Sequence, residues 1–347
     1  LAARAREAGL EIIGDIELFA RARPELPPHK VVGITGTNGK STTTALVHHI
    51  LKTAGVPTTM GGNIGLPILA QDPLPAGGVY VLELSSFQID LTQSLDCDVA
   101  VLLNITPDHL DRYESFEAYA AAKARLFEMQ SSAHVRVINP ENFASREVGR
   151  DFGLRNPQNL PRWREPFDNN PWPALQGHHN ASNASAAIHA CYAVGINEDV
   201  IYQALGTFPG LAHRMERVRE RGGVLFINDS KATNPEAAAP ALAAYPRVRW
   251  IVGGQAKTTD LGETAQHLTH VLHAYTIGEA GPMFARLLRK QGVHVTESET
   301  LENAVKRAAA DSQAGDVVLL SPACASFDQF RDFEARGDAF RRQVGEL

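Results

Sequence analysis

Residues 33–44, GITGTNGKSTTT, set a glycine-punctuated turn between an apolar run and a helical one, and that junction decides the fold. Gly36 and Gly39 lack the Cβ that restricts other residues, so the backbone across Gly36, Thr37, Asn38 and Gly39 can aim successive amide N–H groups into one concavity. A helix starting near Ser41 adds the partial positive charge of its N-terminus. Such a turn cradles phosphate. Lys40 supplies a point charge for the outer phosphates of a nucleoside triphosphate, and the hydroxyl of Ser41 or Thr42 can reach a magnesium ion bridging them. The usual phosphate-loop spacing asks for glycine at position 34, but Ile34 stands there and Gly33 falls one place early. The preceding KVVGIT and the following TTALVHHILKTAG provide the strand and helix that the cradle needs.

Outward from this junction, apolar runs at 31–34, 79–84, 99–105 and 135–138 show little alternation and are separated by helical stretches, the pattern of a parallel sheet covered on both faces. A second set, at 224–228, 248–252, 274–277, 293–296 and 317–320, also alternates with helical segments. The predicted fold class is α/β: a phosphate-loop (P-loop-type) domain with a mostly parallel sheet, then a second α/β domain. The length of 347 residues suits about two such domains, predicted over 29–210 and 211–347, with residues 1–28 ending in the Pro-rich linker ARPELPPH. Residues 156–173 hold five prolines and no periodicity, which predicts an irregular loop. The Ala-rich helix after it is predicted to be capped by Asn180 and to stop at Gly195.

A net charge of −6 disfavours nucleic acid as a partner and favours a small molecule. Cys97, Cys191 and Cys324 are widely spaced and form no disulfide framework, so a reducing, cytoplasmic setting is expected. The longest apolar runs fall well short of the ~20 residues that cross a bilayer, and no membrane partner is predicted.

Open α/β sheets collect ligands at the carboxyl ends of their strands, and the polar residues out of keeping with their surroundings fall there. Glu83 follows the apolar VYVL, where a bare carboxylate is expensive to bury; its partner is either nucleotide-bound magnesium or a lysine or arginine. After the next strand, Asp108, His109 and Asp111 crowd the turn NITPDHLDRY. A helix is predicted from about Ser115, with Lys123 in an apolar stripe formed by Phe116, Tyr119, Ala120, Leu126 and Phe127. Lys123 either snorkels to water or is held deprotonated near the site, where its amine can take up carbon dioxide and become a metal-binding carbamate. Asn180 and Asn183 share a helix face, and Arg214, beside His213, carries a rigid fork suited to phosphate. Residues 228–234 (NDSKATN), 253–257 (GGQAK) and 319–330 (LLSPACASFDQF) place a further polar pocket for a small charged molecule at neighbouring strand ends.

The motifs GDIELF, GITGTNGKSTTT, GGNIGLP, LELSSFQ, LNITPDHLDRY, AAKARLF, GHHNASN, HRME, NDSKATN, GGQAK and LLSPACASFDQF run in order along nearly the whole chain. In these the chain resembles the Mur ligases, the ATP-dependent amide-forming enzymes of peptidoglycan precursor synthesis. ELSSFQ, NDSKATN and SPACASFDQF point, within that family, to the branch that adds D-glutamate to UDP-N-acetylmuramoyl-L-alanine. The resemblance implies three domains: a UDP-binding one of which residues 1–28 are a remnant, so that the UDP contacts fall outside this chain, a central ATPase domain over 29–210 and a C-terminal, dinucleotide-fold-like α/β domain over 211–347 that binds the amino acid. It implies ATP and two Mg2+ ions as cofactors, with Lys40, Ser41 and Glu83 similar to the ATP–magnesium site. His109 and Lys123 resemble the second metal site, with Lys123 carbamylated. Asn63 resembles a contact to the muramoyl-alanine substrate, and Asn183, Arg214 and Asp229 resemble the remaining nucleotide contacts. Thr233, Lys257, Ser326, Phe327 and Phe333 match the D-glutamate pocket, with Lys231 close by. The implied chemistry is an acyl phosphate attacked by an amine; His213 is a candidate for the amine's proton by position alone, and a monomer is expected. The alternatives are a sister ligase using another amino acid, including the folylpolyglutamate type, and a P-loop phosphotransferase, for which Lys123 and the 233–257 cluster would be surplus.

Overall fold

The computed structural model describes residues 2–108, 112–152 and 171–347. They divide into two compact units, Leu1–Trp172 with His179–Phe208, and Pro173–His178 with Pro209–Leu347. Most of the predicted loop at 156–173, together with His109 and Asp111, lies outside the described residues.

The first unit opens with α1 (Ala2–Glu7) and α2 (Asp15–Ala22), then strand β1 (His29–Thr35) and helix α3 (Lys40–Thr53). Next come β2 (Thr58–Gly62), β3 (Gly78–Glu83), α4 (Ser86–Asp90) and β4 (Val99–Leu102). The unit continues with α5 (Phe116–Glu128), β5 (Val135–Ile138), α6 (Phe143–Asp151), α7 (His178–Val194) and α8 (Glu198–Thr207). Its five strands run in the order β2-β3-β1-β4-β5, all parallel, with β1 at the centre. Strands buried on both faces explain the continuous apolar runs, since neither face can be polar. The β2 segment, TTMGG, has no apolar run to announce it; its pairing with β3, from Thr58 against Val79 to Gly62 against Glu83, makes it a strand. α2 belongs to this unit's core through Ile16, Phe19 and Ala20, although the sequence set residues 1–28 apart. Its Glu17 carboxylate fastens it there by accepting the N–H groups of Gln93 (2.7 Å) and Ser94 (2.9 Å).

The second unit contains β6 (Glu216–Arg221), β7 (Val224–Asn228), α9 (Pro235–Ala243), β8 (Val248–Gly253) and a 3₁₀ segment (Gly262–His270). It continues with β9 (Val271–Ile277), α10 (Gly281–Lys290), β10 (Val295–Glu299), α11 (Leu301–Asp311), β11 (Val317–Leu320) and α12 (Phe333–Glu346). The strand order is β10-β9-β8-β11-β7-β6, parallel except for β6. Successive residues of β8 feed opposite cores: Trp250 and Val252 pack under α9 and α10, while Ile251 packs toward α11 and α12. β6, ERVRER, escapes sequence reading because an edge strand has one partner and tolerates charge, which also discourages edge-to-edge pairing.

Local chemistry sets the helix starts. Ser85 caps α4 reciprocally with Gln88, which accounts for SSFQ, and Ser115 accepts the Ala118 N–H at the start of α5. One expectation is corrected: α7 begins at His178, so Asn180 lies inside its first turn and is not its cap. Gly33 in mid-β1 is required by space. A Cβ there would sit 2.6 Å from Cys97 Sγ and 3.2 Å from Leu84 Cδ1. Gly33→Ala is expected to destabilise the protein by about 1–3 kcal/mol in urea unfolding, and by less in a Cys97→Ala background.

Candidate active site

β1 delivers the chain to the cradle at Gly36 (φ 152°), and Gly39 (φ 87°) turns it into α3. Both angles lie where a side chain is strained. At Gly39 space is also closed, because a Cβ would fall 2.1 Å from Asn183 Oδ1. Asn183, on buried α7, thus lies directly on the loop, with its amide donating to Asn180 Oδ1 at 3.3 Å. The loop is laced to the segment after β4: Asn104 O accepts the Thr37 N–H (2.9 Å), and Asn104 Oδ1 accepts the Asn38 N–H (2.9 Å). Asn104 Nδ2 donates back to Asn38 O (3.0 Å), and the Thr106 N–H donates to Thr37 Oγ1 (3.0 Å). Two amides expected to face the anion are therefore engaged by Asn104. The anion-binding role shifts toward Gly39 and the start of α3, at Lys40, Ser41 and Thr42. Asn104 is a residue whose part the sequence did not reveal; its only signal was a polar side chain at a strand end.

Two ammonium groups converge on one carbonyl. Lys40 Nζ donates to Gly36 O (2.8 Å) and Thr37 O (2.9 Å), and Lys123 Nζ donates to the same Gly36 O (3.0 Å). Lys123 does not snorkel: it is 1% exposed, with its ammonium 4.6 Å from the centre of the Tyr119 ring. Burial, reinforced by the Lys40 charge, pulls its pKa down to about 7. Tyr119 in turn holds the loop through its hydroxyl, 3.2 Å from Thr37 Oγ1.

Glu83, at the end of β3, is 1% exposed. Its Oε1 accepts Asn63 Nδ2 at 2.8 Å, while the buried Oε2 has no hydrogen-bond partner among the described residues. The lysine or arginine ion pair considered for it is absent among the described residues. An orphaned carboxylate oxygen and a hydroxyl-rich helix start are hard oxygen donors of the kind magnesium takes. His109, the other expected metal ligand, lies outside the described residues.

In the second unit the polar motifs meet at the ends of β7, β8 and β11. Asp229 is buried and its carboxyl is raised to about 7 by burial, against which the Ser321 Oγ hydrogen bond (2.8 Å), the Met215 N–H (3.1 Å) and the Arg214 charge act. Gln255 and Ala325 exchange backbone hydrogen bonds (2.9 and 3.0 Å), joining GGQAK to SPACASF. Lys231 Nζ lies 5.1 Å from the centre of the Phe333 ring, Thr233 is half-buried and Ser326 is buried. Lys257 and Phe327 stand exposed and are not drawn in with them.

Arg336, on α12, carries no motif signal yet organises this region. Its guanidinium is 1% exposed and donates to Ser230 Oγ (2.9 Å), Ser230 O (2.8 Å), Cys324 O (3.0 Å) and Ala325 O (3.3 Å). It thereby ties NDSKATN to SPACASF. Burial lowers its pKa to about 10, since carbonyls rather than a carboxylate surround it.

The profile described as "Mur ligase middle domain" matches residues 34–156, and "Mur ligase, glutamate ligase domain" matches residues 213–324. UDP-N-acetylmuramoylalanine–D-glutamate ligase of Novosphingobium aromaticivorans is 58% identical over 350 residues, spanning 100% of this chain and 79% of that protein. The enzyme of the same name from Zymomonas mobilis is 57% identical, spanning 100% and 80%. The fold is shared with the MurF ligase of Thermotoga maritima in complex with ADP (TM-score 0.70, 19% identity, 96% of this chain and 84% of that one). It is also shared with E. coli FolC in complex with DHPP and ADP (TM-score 0.66, 22% identity, 96% and 93%). The chain belongs to the Mur ligase family, within which these two relatives carry the name of its D-glutamate-adding ligase. Among the described residues no helix is long and apolar enough to cross a membrane.

Lys123 has a consequence for stability. With its pKa near 7 in the folded chain and in the ordinary lysine range when unfolded, the unfolded state binds the extra proton between those values. Stability is therefore expected to rise with pH from about 7 toward 10, and Lys123→Met to remove that rise in melting curves taken across the range.

Proposed function

We propose that this chain joins D-glutamate to UDP-N-acetylmuramoyl-L-alanine, with ATP cleaved to ADP and phosphate through an acyl phosphate. The observation that carries this reading is the meeting of Lys40 and Lys123 at the Gly36 carbonyl, in a chain 58% identical to a ligase of that name.

A carboxylate is a poor nucleophile toward ATP because two anions repel, so the site must concentrate positive charge at the transferring phosphoryl group. Lys40 turns from its own loop carbonyls to the outer phosphates. Asn183 on the Gly39 face, Arg214 and Asp229 are the further nucleotide contacts. Magnesium would be held by Ser41, Glu83, His109 and carbamylated Lys123, and when bound it supplies the remaining neutralising charge. Lys123 acquires its carbamate when the neutral amine attacks the carbon of CO2 and releases a proton. A pKa near 7 leaves a large neutral fraction of that amine at neutral pH, which supports the assignment. Asn63, paired with Glu83, orients the muramoyl-alanine end.

The substrate carboxylate oxygen then bonds to the γ-phosphorus as ADP leaves. The glutamate amine attacks the acyl carbon, phosphate departs with the bonding pair, and the amine loses a proton to form the amide. Thr233, Lys257, Ser326, Phe327 and Phe333, with Lys231, hold the amino acid. Lys257 is exposed, so its ammonium stays in water until a carboxylate arrives.

Lys123→Ala is expected to abolish ligation and to regain part of it with short-chain carboxylic acids; wild-type turnover in the variant would overturn the carbamate. Lys257→Ala is expected to raise KM for D-glutamate about tenfold or more while leaving that for ATP within about twofold. Phosphate release measured with UDP-N-acetylmuramoyl-L-alanine over a panel of amino acids is expected with D-glutamate alone. Equal release with L-alanine or diaminopimelate would assign the chain to a sister ligase.

A further inference from the structure

The turn that carries Arg214 is held under strain. His213 (φ 61°) and Met215 (φ 47°), the residues on either side, both lie in the left-handed region without being glycine. Met215 is held by its N–H on Asp229 Oδ1. His213 is held more elaborately: its N–H donates to Glu216 Oε2 (2.8 Å), and its carbonyl accepts the Lys231 N–H (3.0 Å). Its ring, 8% exposed, is wedged against α12. Gly337 lies inside that helix, where glycine is a poor choice, and a Cβ there would come within 2.1 Å of His213 Nδ1. Nδ1 faces Asn228 Nδ2 at 3.0 Å. The Asn228 oxygen accepts the Ser230 N–H (3.2 Å), which turns its NH2 toward His213 Nδ1, Glu216 Oε2 (3.0 Å) and Gly337 O (3.2 Å), three acceptors that share its two hydrogens. Nδ1 thus faces the interior of the unit, between Asn228 and Gly337, and Nε2 lies 3.7 Å from Asp338 Oδ1.

A base must present a ring nitrogen to the proton it takes, whereas the His213 ring is buried with Nδ1 turned to Asn228 and Gly337. We propose that His213 is a positioning residue, a wedge seated on Gly337 that holds the strained 213–215 turn and so fixes Arg214, and that it is not the group that deprotonates the amine. The part of this inference that concerns the nucleotide rests on the reading of Arg214 given above.

A double-mutant cycle between His213→Ala and Gly337→Ala tests it, with Arg214→Ala as the control. Gly337→Ala is expected to lower the melting temperature by roughly 4 °C or more in the otherwise unchanged chain, and to raise it in the His213→Ala background, where the added methyl meets no ring. Additive melting shifts would overturn the wedge. In assays, His213→Ala and Gly337→Ala are each expected to raise KM for ATP about tenfold to hundredfold, with KM for D-glutamate within about twofold. His213→Asn is expected to recover part of that loss, because asparagine accepts a left-handed backbone although it cannot act as a base. A collapse of kcat in both His213 variants with KM for ATP unchanged would overturn the proposal in favour of a base. If Arg214→Ala leaves KM for ATP unchanged, the reading of Arg214 has failed. If Arg214→Ala raises it and the wedge variants do not, the wedge has failed.

Discussion

The carbonyl oxygen of Gly36 is the point on which the candidate site depends. It follows directly on the central strand of the first sheet, it is turned by a backbone angle that only glycine adopts at ease, and it accepts from both the Lys40 and the Lys123 Nζ. A single peptide group thus brings together a side chain from the phosphate loop and one from a helix more than eighty residues later. The two amino groups share a neutral acceptor, and the Lys40 charge adds to burial in lowering the pKa of Lys123. That arrangement costs stability and favours whatever anion relieves it.

The same imbalance recurs at the strand ends. Glu83 keeps one buried carboxylate oxygen without a partner, Lys123 is buried against a ring and a carbonyl, and Arg336 is enclosed by carbonyls and a hydroxyl. Buried ionisable groups bonded mainly to neutral partners are tolerated where the surrounding structure over-determines them, and such places are concentrated at functional sites. Two other buried carboxylates differ: Glu17 is saturated by backbone N–H groups and Asp316 by Arg247 and Arg249, which marks them as structural fasteners. The chemistry therefore follows the unsatisfied charges and the stability follows the satisfied ones.

Much of the site was legible because its parts are local. The cradle, the Ser85 and Ser115 caps and the apolar strands each arise from neighbours within a few residues, where spacing carries the information. The position of Lys123 in an apolar stripe was legible too, but its state was not: snorkelling and burial leave the same pattern along a helix. Asn104 and Arg336 were missed for a related reason. An asparagine after a strand and an arginine in a helix are commonplace, and only the loops that fold back onto them give them a role. The strands β2 and β6 were missed because edge strands need no apolar run.

By itself, the sequence determined the α/β class, the place of the phosphate cradle and the set of residues at strand ends, since each is written in short-range periodicity and turn chemistry. Tertiary structure alone decided that Lys123 meets Lys40 at one carbonyl, that two cradle amides are engaged by Asn104, that Glu83 pairs with Asn63 and, among the described residues, with no lysine or arginine, and that His213 is wedged on Gly337. The reason is physical: burial, and with it the charge state and direction of a polar side chain, depends on groups distant in the chain, whose approach no local spacing records.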